Sequence, residues 1–387
     1  MNKLYRSFAL MALIGHSIPA AHAQARGYVE TDLVVNKQAG SVPTLVDSNG
    51  VVHIAKFFDE NLANPWGIAE SSTSAFWVAN GSSGRATLYN TAGSPQPLIV
   101  SIPNPADPLG TGGSPSGAVF NTASAQGAFK VTGVKSDGTP VTAPATFLFA
   151  TKDGTILGWN PNVNPLGFDP AKAGKYAIIA VTTPGAVYTG LAIATDAKGT
   201  TRLYAANFAG ATVDVFDTDL KPAVSSFAFV DAYLPSGYAP FNIAPITVDG
   251  TTRMFVMYAL NDLTQLVGQG HGIVNTFDLD GSQPRRFAQH GQLNGPWGIV
   301  LTPPSFGALG GTLWIGNFGN GHINAFDPAT GQQIGKVRTP GGKIIVIDGL
   351  WTLRFGNGGN GGSMTTLYFT AGPNREQDGL FGAIDPQ

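Results

Sequence analysis

Asparagine and aspartate recur where short apolar segments of this chain begin. Two of these segments carry the same Pro-Trp-Gly-Ile sequence, although they lie more than two hundred residues apart. If these segments are repeats arranged in a ring, the side-chain oxygens at their starts surround a common axis. Such oxygens suit a hard cation, which accepts six to eight oxygen ligands. We therefore predict a divalent cation site, for Ca²⁺ or Zn²⁺, at Asn64, Asn242, Asn294 and Asp348. An alternative stays open, because asparagine at strand ends also serves as a turn residue.

His271, His322 and Glu376 lie in loops that the sequence places on the same side of the molecule as the predicted cation site. His271 and His322 have glycine neighbours, which let a backbone approach a ligand closely. Imidazole can bind a transition metal or act as a general base, and a carboxylate can divide acid and base roles with it. The candidate catalytic residues are Asp348, His322, His271 and Glu376, and the alternative for each is an ordinary solvated loop residue.

A third group of candidates comprises residues that could contact a bound molecule directly. Asn64, Asn242, Asn294 and His290 offer polar contacts, and Trp66 and Trp297 offer aromatic ones. The two tryptophans have an alternative role as packing residues between repeats, which we favour. His53 follows Val51-Val52 on a predicted outer strand and is not a candidate.

These residues belong to a repeat of about fifty residues. Asn64-Pro-Trp-Gly-Ile is followed by Phe76-Trp-Val-Ala-Asn, and Asn294-Gly-Pro-Trp-Gly-Ile is followed by Leu313-Trp-Ile-Gly-Asn. Weaker copies fill the gap, and a polar insertion around 126–144 lengthens the second unit. A period near fifty with several strands per unit is typical of a propeller blade. The units begin near residues 64, 116, 188, 239, 294 and 348.

The repeat predicts an all-β fold, a six-bladed β-propeller formed by a single domain over residues 24–387. The 51 glycines and 27 prolines favour turns over long helices. An open ring would expose strand edges on its first and last blades. Residues 28–36 alternate Val29, Thr31, Leu33 and Val35, so we predict that they add a closing strand to the last blade.

The N-terminus has the pattern of an export signal over residues 1–23. Lys3 and Arg6 precede an apolar run from Phe8 to Ile14, and Ala21-His-Ala resembles a cleavage site. Cleavage would leave 20 bases against 24 acids, and this weak negative charge disfavours nucleic acid as a partner. The chain has no cysteine. We expect a periplasmic or secreted protein, monomeric and without a membrane span after cleavage.

The repeated motifs resemble those of NHL-type and SMP-30-like β-propellers. More closely, the chain is similar to a family of exported, largely uncharacterised bacterial six-bladed propellers. The segments that carry this resemblance are Asn64-Pro-Trp-Gly-Ile, Gly237-Tyr-Ala-Pro-Phe-Asn-Ile, Gly316-Asn-Phe-Gly-Asn-Gly-His and Asp348-Gly-Leu-Trp. The resemblance implies the fold but no agreed activity, because related propellers include both hydrolases and binding scaffolds.

Two classes of function follow from these observations. The first is binding of a small molecule or ion at the mouth of the central channel, extending to a metal-assisted hydrolase or lactonase. The second is a non-catalytic scaffold that binds a glycan, a peptide or an exported protein. A deep pocket with convergent acids and imidazoles would favour an enzyme, whereas a shallow face rimmed by aromatic residues would favour a scaffold.

Overall fold

A computed structural model describes residues 27–223, 229–262, 264 and 266–387 of the chain. Nearly all of its regular structure is β-strand. Single 3₁₀ turns lie at Ser124–Gln126, Pro170–Lys172 and Gly307–Leu309, and one short helical turn lies at Pro373–Glu376. No helix in the described part of the chain has the length and apolar character needed to cross a membrane. The all-β prediction is confirmed.

The described part of the chain begins with the closing strand and a small hairpin region, which precede the first blade. These strands, numbered in chain order, are β1 (Tyr28–Val35), β2 (Gln38–Ala39), β3 (Val42–Val46), β4 (Val52–Ile54) and β5 (Phe57–Phe58). Strands β2, β3 and β4 pair with one another, and β5 pairs in parallel with the end of β1.

The first three blades are antiparallel sheets. Blade one contains β6 (Pro65–Ala69), β7 (Phe76–Asn80), β8 (Arg85–Tyr89) and β9 (Pro95–Ser101). Blade two contains β10 (Pro115–Phe120), β13 (Phe147–Thr151), β14 (Thr155–Trp159) and β15 (Ile178–Thr182), with an inserted hairpin of β11 (Lys130–Val134) and β12 (Pro140–Pro144). Blade three contains β16 (Tyr188–Thr195), β17 (Thr201–Asn207) and β18 (Thr212–Phe216).

The last three blades follow the same plan. Blade four contains β19 (Tyr238–Val248), β20 (Thr251–Leu260), β21 (Ile273–Phe277) and β22 (Arg285–Gln289). Blade five contains β23 (Pro296–Leu301), β24 (Leu313–Asn317), β25 (Ile323–Phe326) and β26 (Gln333–Lys336). Blade six contains β27 (Leu350–Phe355), β28 (Leu367–Ala371) and β29 (Leu380–Pro386), and it is completed by β1.

The innermost strand of each blade contacts the innermost strand of the next, so the six sheets form a ring. Strand β6 contacts β10, and the sequence of contacts continues through β16, β19, β23 and β27 back to β6. We call the face on which these strands begin the asparagine face, and the face on which they end the opposite face. The predicted six-bladed β-propeller is confirmed.

The ring is closed by the N-terminal strand, as predicted. Strand β1 pairs antiparallel with β29, from Tyr28 opposite Pro386 to Val35 opposite Leu380. The expected alternation of buried and exposed residues is wrong, however, because a bulge between Asp32 and Val34 shifts the register. Leu33, Val34 and Val35 are all buried, whereas Val29 is 40% exposed. The end of this strand is therefore covered on both faces, by two different parts of the core.

Glycine allows the innermost strands to approach one another closely around the axis. A Cβ atom at Gly67 would lie 2.9 Å from the backbone nitrogen of Ala118 in the next blade. At the corresponding position of blade five, a Cβ atom on Gly298 would collide with the carbonyl oxygen of Trp351. The glycine that follows tryptophan in these two repeats therefore serves strand-to-strand packing at the channel wall.

Candidate functional site

Aromatic side chains fill the central channel at the asparagine face. This aromatic plug comprises Trp66, Phe208, Phe241, Trp297, Phe318 and Trp351. Trp66 stacks on Trp351 with ring centroids 3.5 Å apart, and Trp297 meets both rings edge-on. Since Trp66 and Trp297 are 3% and 4% exposed, neither indole offers an exposed platform to a ligand at this face.

The four residues predicted to bind a cation do not occupy equivalent positions in their blades. The position immediately before the innermost strand is held by Asn64, Gly295 and Gly349, and all three have left-handed backbone, with φ of 50°, 55° and 67°. Asn294 and Asp348 therefore lie one residue earlier. The expectation that Asn242 precedes its strand is wrong, because Asn242 lies within β19, opposite Met257.

Each of the three asparagines forms hydrogen bonds that hold its own neighbours. Asn64 Oδ1 accepts the indole N–H of Trp351 at 3.1 Å, and its amide donates to Glu376 Oε2 at 2.8 Å. Asn242 donates to the carbonyl of Trp297 at 2.9 Å, and Asn294 accepts the backbone N–H of Gly268 at 2.7 Å. The side-chain oxygens of Asn64 and Asn294 already accept hydrogen bonds from the protein, and the cation site at these asparagines and Asp348 stays a prediction.

Asp348 fixes the loop that carries Glu376. Its Oδ2 accepts hydrogen bonds from the hydroxyl of Ser48 at 2.6 Å and from the backbone N–H of Asn374 at 3.0 Å. Asn374, Arg375 and Glu376 form a turn with left-handed backbone, with φ of 57°, 58° and 68°. Such a conformation costs roughly 1–2 kcal/mol per non-glycine residue, so it needs fixed partners of this kind. Asp348 thus helps to hold the turn that positions Glu376.

Glu376 lies above the aromatic plug with a lysine that the sequence did not indicate. Lys152 Nζ is 3.7 Å from Glu376 Oε2 and 5.2 Å from the ring centroid of Trp66. Glu376 and Asn64, both predicted site residues, are therefore brought together. Lys152 could have been found from its place between the second and third strands of blade two, which is the same loop type as that of Glu376.

The predicted histidines lie in separate loops. His322 is half-buried, with Nδ1 3.2 Å from Lys336 Nζ, and burial together with this lysine lowers its pKa. His290 is exposed, and its Nδ1 hydrogen bonds to the carbonyl of Gly270 at 3.1 Å. His271 is half-buried in the turn before β21, where its backbone N–H donates to Gly268. Neither His290 nor His322 forms a hydrogen bond or ion pair with Asp348 or Glu376.

A cavity of about 380 Å³ lies in the channel beyond the aromatic plug. All six innermost strands line it, mainly with aliphatic residues, and Trp297 and Asn242 border it on the plug side. Lining residues near the strand ends, such as Val119, Ile193 and Val300, are partly exposed, whereas those nearer the plug are buried. The cavity therefore opens towards the opposite face, and not towards the asparagine face where the sequence predicted the site.

Glu70 and Arg354 provide the charged groups of the cavity wall. Arg354 Nε donates to Glu70 Oε1 at 2.7 Å, joining blade six to blade one. The side chain of Glu70 is 5% exposed and that of Arg354 is 42% exposed. Burial raises the pKa of Glu70, and the arginine partly offsets this rise. The other carboxylate oxygen, Oε2, is buried and has no hydrogen-bond partner. The sequence did not indicate either residue, because Glu70 follows β6, Arg354 is the next-to-last residue of β27, and both lie outside the repeated motif.

A group suited to metal binding lies away from the axis. Among the described residues, the one set of three or more histidine and acidic side chains with ligand atoms within 4.8 Å of one another is Glu30, Asp32 and His53. His53 was set aside on sequence grounds. The signal that could have found this group is the spacing of Glu30 and Asp32, since residues two apart on a strand share one face.

The fold and this channel, closed at the asparagine face and open at the opposite face, define the protein as a six-bladed β-propeller with a channel cavity. No family model matches the chain. It is 32% identical over 336 residues to the uncharacterised protein R648 of Acanthamoeba polyphaga mimivirus, covering 84% of this chain and 76% of that protein. It is 30% identical over 342 residues to protein L690 of the same virus, covering 86% and 82%. The chain belongs to the family of these uncharacterised proteins.

A solved structure with a similar fold is the PQQ-bound aldose sugar dehydrogenase of Streptomyces coelicolor. The TM-score is 0.51 at 12% identity, over 94% of this chain and 99% of that one. At this identity the likeness shows the fold alone. The relatives reported above are viral, so the expectation of a bacterial family is not supported.

Proposed function

We propose that this protein binds a small molecule in the channel cavity and admits it from the opposite face. The observation that carries this proposal is the cavity of about 380 Å³, bordered by the buried Glu70 with one unpartnered carboxylate oxygen. Small-molecule sites are concave, mostly apolar and 300–1,000 Å³ in volume, with a few placed polar groups and shifted pKa values. The channel cavity meets each of these criteria.

The chemistry of the wall favours a ligand with an apolar body and a hydrogen-bond donor. Aliphatic side chains from six strands would cover the body, and burial of apolar surface supplies most of the binding energy. A hydroxyl or amine on the ligand would satisfy Oε2 once the Glu70 side chain turns towards the cavity, because this oxygen is buried and otherwise lacks a partner. Arg354 keeps part of its guanidinium exposed at the same place and can meet an acceptor on the ligand.

The other functions predicted from the sequence have less support. No histidine lies among the described residues that line the cavity, so a metal-assisted hydrolase or lactonase within it lacks the expected imidazoles. A scaffold for a glycan, peptide or protein partner lacks the expected aromatic rim, since the plug is buried at the asparagine face. Both remain predictions, and binding in the cavity is the function we propose.

The test uses N-phenyl-1-naphthylamine, an apolar fluorophore with one N–H donor whose emission rises in apolar surroundings. Titration should give saturable binding of one probe per chain. Ile193→Trp, which fills part of the cavity, should abolish it, whereas Ile334→Trp, at a position 52% exposed and not among the lining residues, should not. Equal binding by both variants would place the probe outside the channel and contradict the proposal.

Export is a separate proposal that rests on the sequence of residues 1–23, which lie outside the described residues. The full chain should be cleaved when it is expressed in a bacterium, and the periplasmic product should begin at Gln24. Retention of Met1 in a cytoplasmic product would contradict it. We further propose a monomer that does not bind nucleic acid.

A further inference from the structure

Four ionisable side chains meet where the closing strand is covered by the N-terminal hairpin. Glu30 and Asp32 project from the same face of β1, and Asp47 and His53 belong to the hairpin that contains β3 and β4. The ligand atoms of Glu30, Asp32 and His53 lie within 4.8 Å of one another. This group is on the outer side of blade six and shares no residue with the channel cavity.

His53 and Asp47 are buried, Glu30 and Asp32 are half-buried, and several polar atoms of the group have no partner. The side chain of His53 is 5% exposed and that of Asp47 is fully buried. Glu30 Oε1, Asp32 Oδ1 and His53 Nε2 are buried without a hydrogen-bond partner. Buried polar atoms are nearly always hydrogen-bonded, so the unpartnered Glu30 Oε1 and Asp32 Oδ1, on side chains that share one face of β1, indicate a missing ligand.

The distances suit a small divalent cation. His53 Nδ1 lies 3.2 Å from Asp32 Oδ2. Two ligands that each stand about 2.0–2.2 Å from one zinc ion are roughly 3.0–3.5 Å apart, so these two atoms are already at the right separation. On the far side of the ring, His53 Nε2 faces Asp47 Oδ2 at 3.7 Å. A carboxylate in that place orients a metal-bound imidazole and fixes its tautomer.

Asp47 is itself held in place for such a role. Its Oδ1 accepts the backbone N–H groups of Val51 at 2.7 Å and Asn49 at 2.9 Å. The hairpin turn therefore sets the orientation of the His53 ring. Strand β1 sets the positions of the Glu30 and Asp32 side chains. An ion bound between them would connect two segments that otherwise meet through few contacts.

We propose that Glu30, Asp32 and His53 bind one Zn²⁺ ion, which clamps the closing strand to the hairpin of β3 and β4. One imidazole with two carboxylates suits Zn²⁺, whereas Ca²⁺ prefers oxygen ligands alone. Since β1 completes blade six, the ion would stabilise ring closure. This site is independent of the proposed small-molecule cavity.

The experiment measures Zn²⁺ bound to the purified protein by equilibrium dialysis, after treatment with a chelator. We expect one ion per chain, and a rise in Tm of roughly 5 °C at a hundredfold excess of free Zn²⁺ over Kd. His53→Gln should weaken binding by at least about tenfold. His290→Gln, the same change at an exposed histidine, should leave binding unchanged.

Asp32→Asn gives a second test if His53→Gln lowers the yield of folded protein, which circular dichroism will show. Amide hydrogen exchange of β1 should slow on addition of Zn²⁺ in the unaltered protein and not in Asp32→Asn. Full Zn²⁺ binding by both variants would overturn the proposal. An equal rise in Tm with Ca²⁺ would also overturn it, because the imidazole would then have no part in binding.

Discussion

Arg354 donates its Nε–H to Glu70 Oε1 at 2.7 Å, and this bond joins the innermost strand of the last blade to that of the first. The two residues are 284 positions apart in sequence. They close the channel wall at the junction where the ring itself closes. Because Glu70 is buried and its second oxygen is unpartnered, the junction is also the most polar point of the cavity.

The pH dependence of stability should contain a contribution from Glu70. Burial raises its pKa above the ordinary value of 4.5. A carboxyl with a raised pKa in the folded state contributes stability below its unfolded pKa, and this contribution is lost as the pH rises through the folded value. The free energy of unfolding should therefore fall more steeply as the pH rises above about 4.5 in the unaltered protein than in Glu70→Gln. Denaturant titrations at a series of pH values measure this, and parallel curves would contradict it.

The fold could be predicted because the repeat is explicit. Pro-Trp-Gly-Ile recurs at the start of two innermost strands, and the glycine of each meets the backbone of the next blade. The closing strand was also predictable, since an unpaired edge in the last blade requires a partner. The bulge in β1 was not predictable, because it depends on the core covering both faces of this strand.

The candidate site was harder to predict, for reasons of register and long-range packing. Asn64 and Asn294 look equivalent in sequence, but Gly295 takes the left-handed position that Asn64 holds in blade one. Trp66 of blade one stacks on Trp351 of blade six, and this contact between residues distant in sequence helps to close the channel. A sequence search for polar residues at one channel mouth could not show that this mouth is sealed.

Ring closure should depend on the buried end of the N-terminal strand. Val34 is fully buried, so Val34→Ala should lower the free energy of unfolding by about 1–3 kcal/mol through lost burial and a residual cavity. Val29→Ala is the matched control, because Val29 is 40% exposed on the same strand, and its effect should stay within about 0.5 kcal/mol. Equal effects in denaturant titrations would mean that the buried end of β1 does not hold the ring closed.

The channel wall should not tolerate a methyl group at Gly298. A Cβ atom there collides with the carbonyl oxygen of Trp351, so Gly298→Ala should cost about 1–3 kcal/mol or more. Gly335→Ala is the control, since the nearest atom to its Cβ would be 3.8 Å away. Thermal unfolding of the two variants compares them directly. If Gly298→Ala is as stable as the control, strands β23 and β27 can move apart where Gly298 meets Trp351, and the prediction is wrong.

Asp348 should act on the stability of the asparagine face. Asp348→Ala removes the acceptor of Ser48 and of the Asn374 backbone N–H, so the left-handed turn at Glu376 loses its anchor. We expect a loss of about 1–3 kcal/mol in denaturant titration. Asp219→Ala, at an exposed position, should change stability by less than about 0.5 kcal/mol. A stable Asp348→Ala protein would leave Asp348 free for the chemical role first predicted for it.

Small-molecule binding in the channel is tested most directly by a crystal structure of the protein with N-phenyl-1-naphthylamine. We expect the naphthalene between Trp297 and Arg354, with its N–H within hydrogen-bond distance of the Glu70 carboxylate. A probe bound at the asparagine face or on the outside of a blade, with the channel unchanged, would contradict the proposed function.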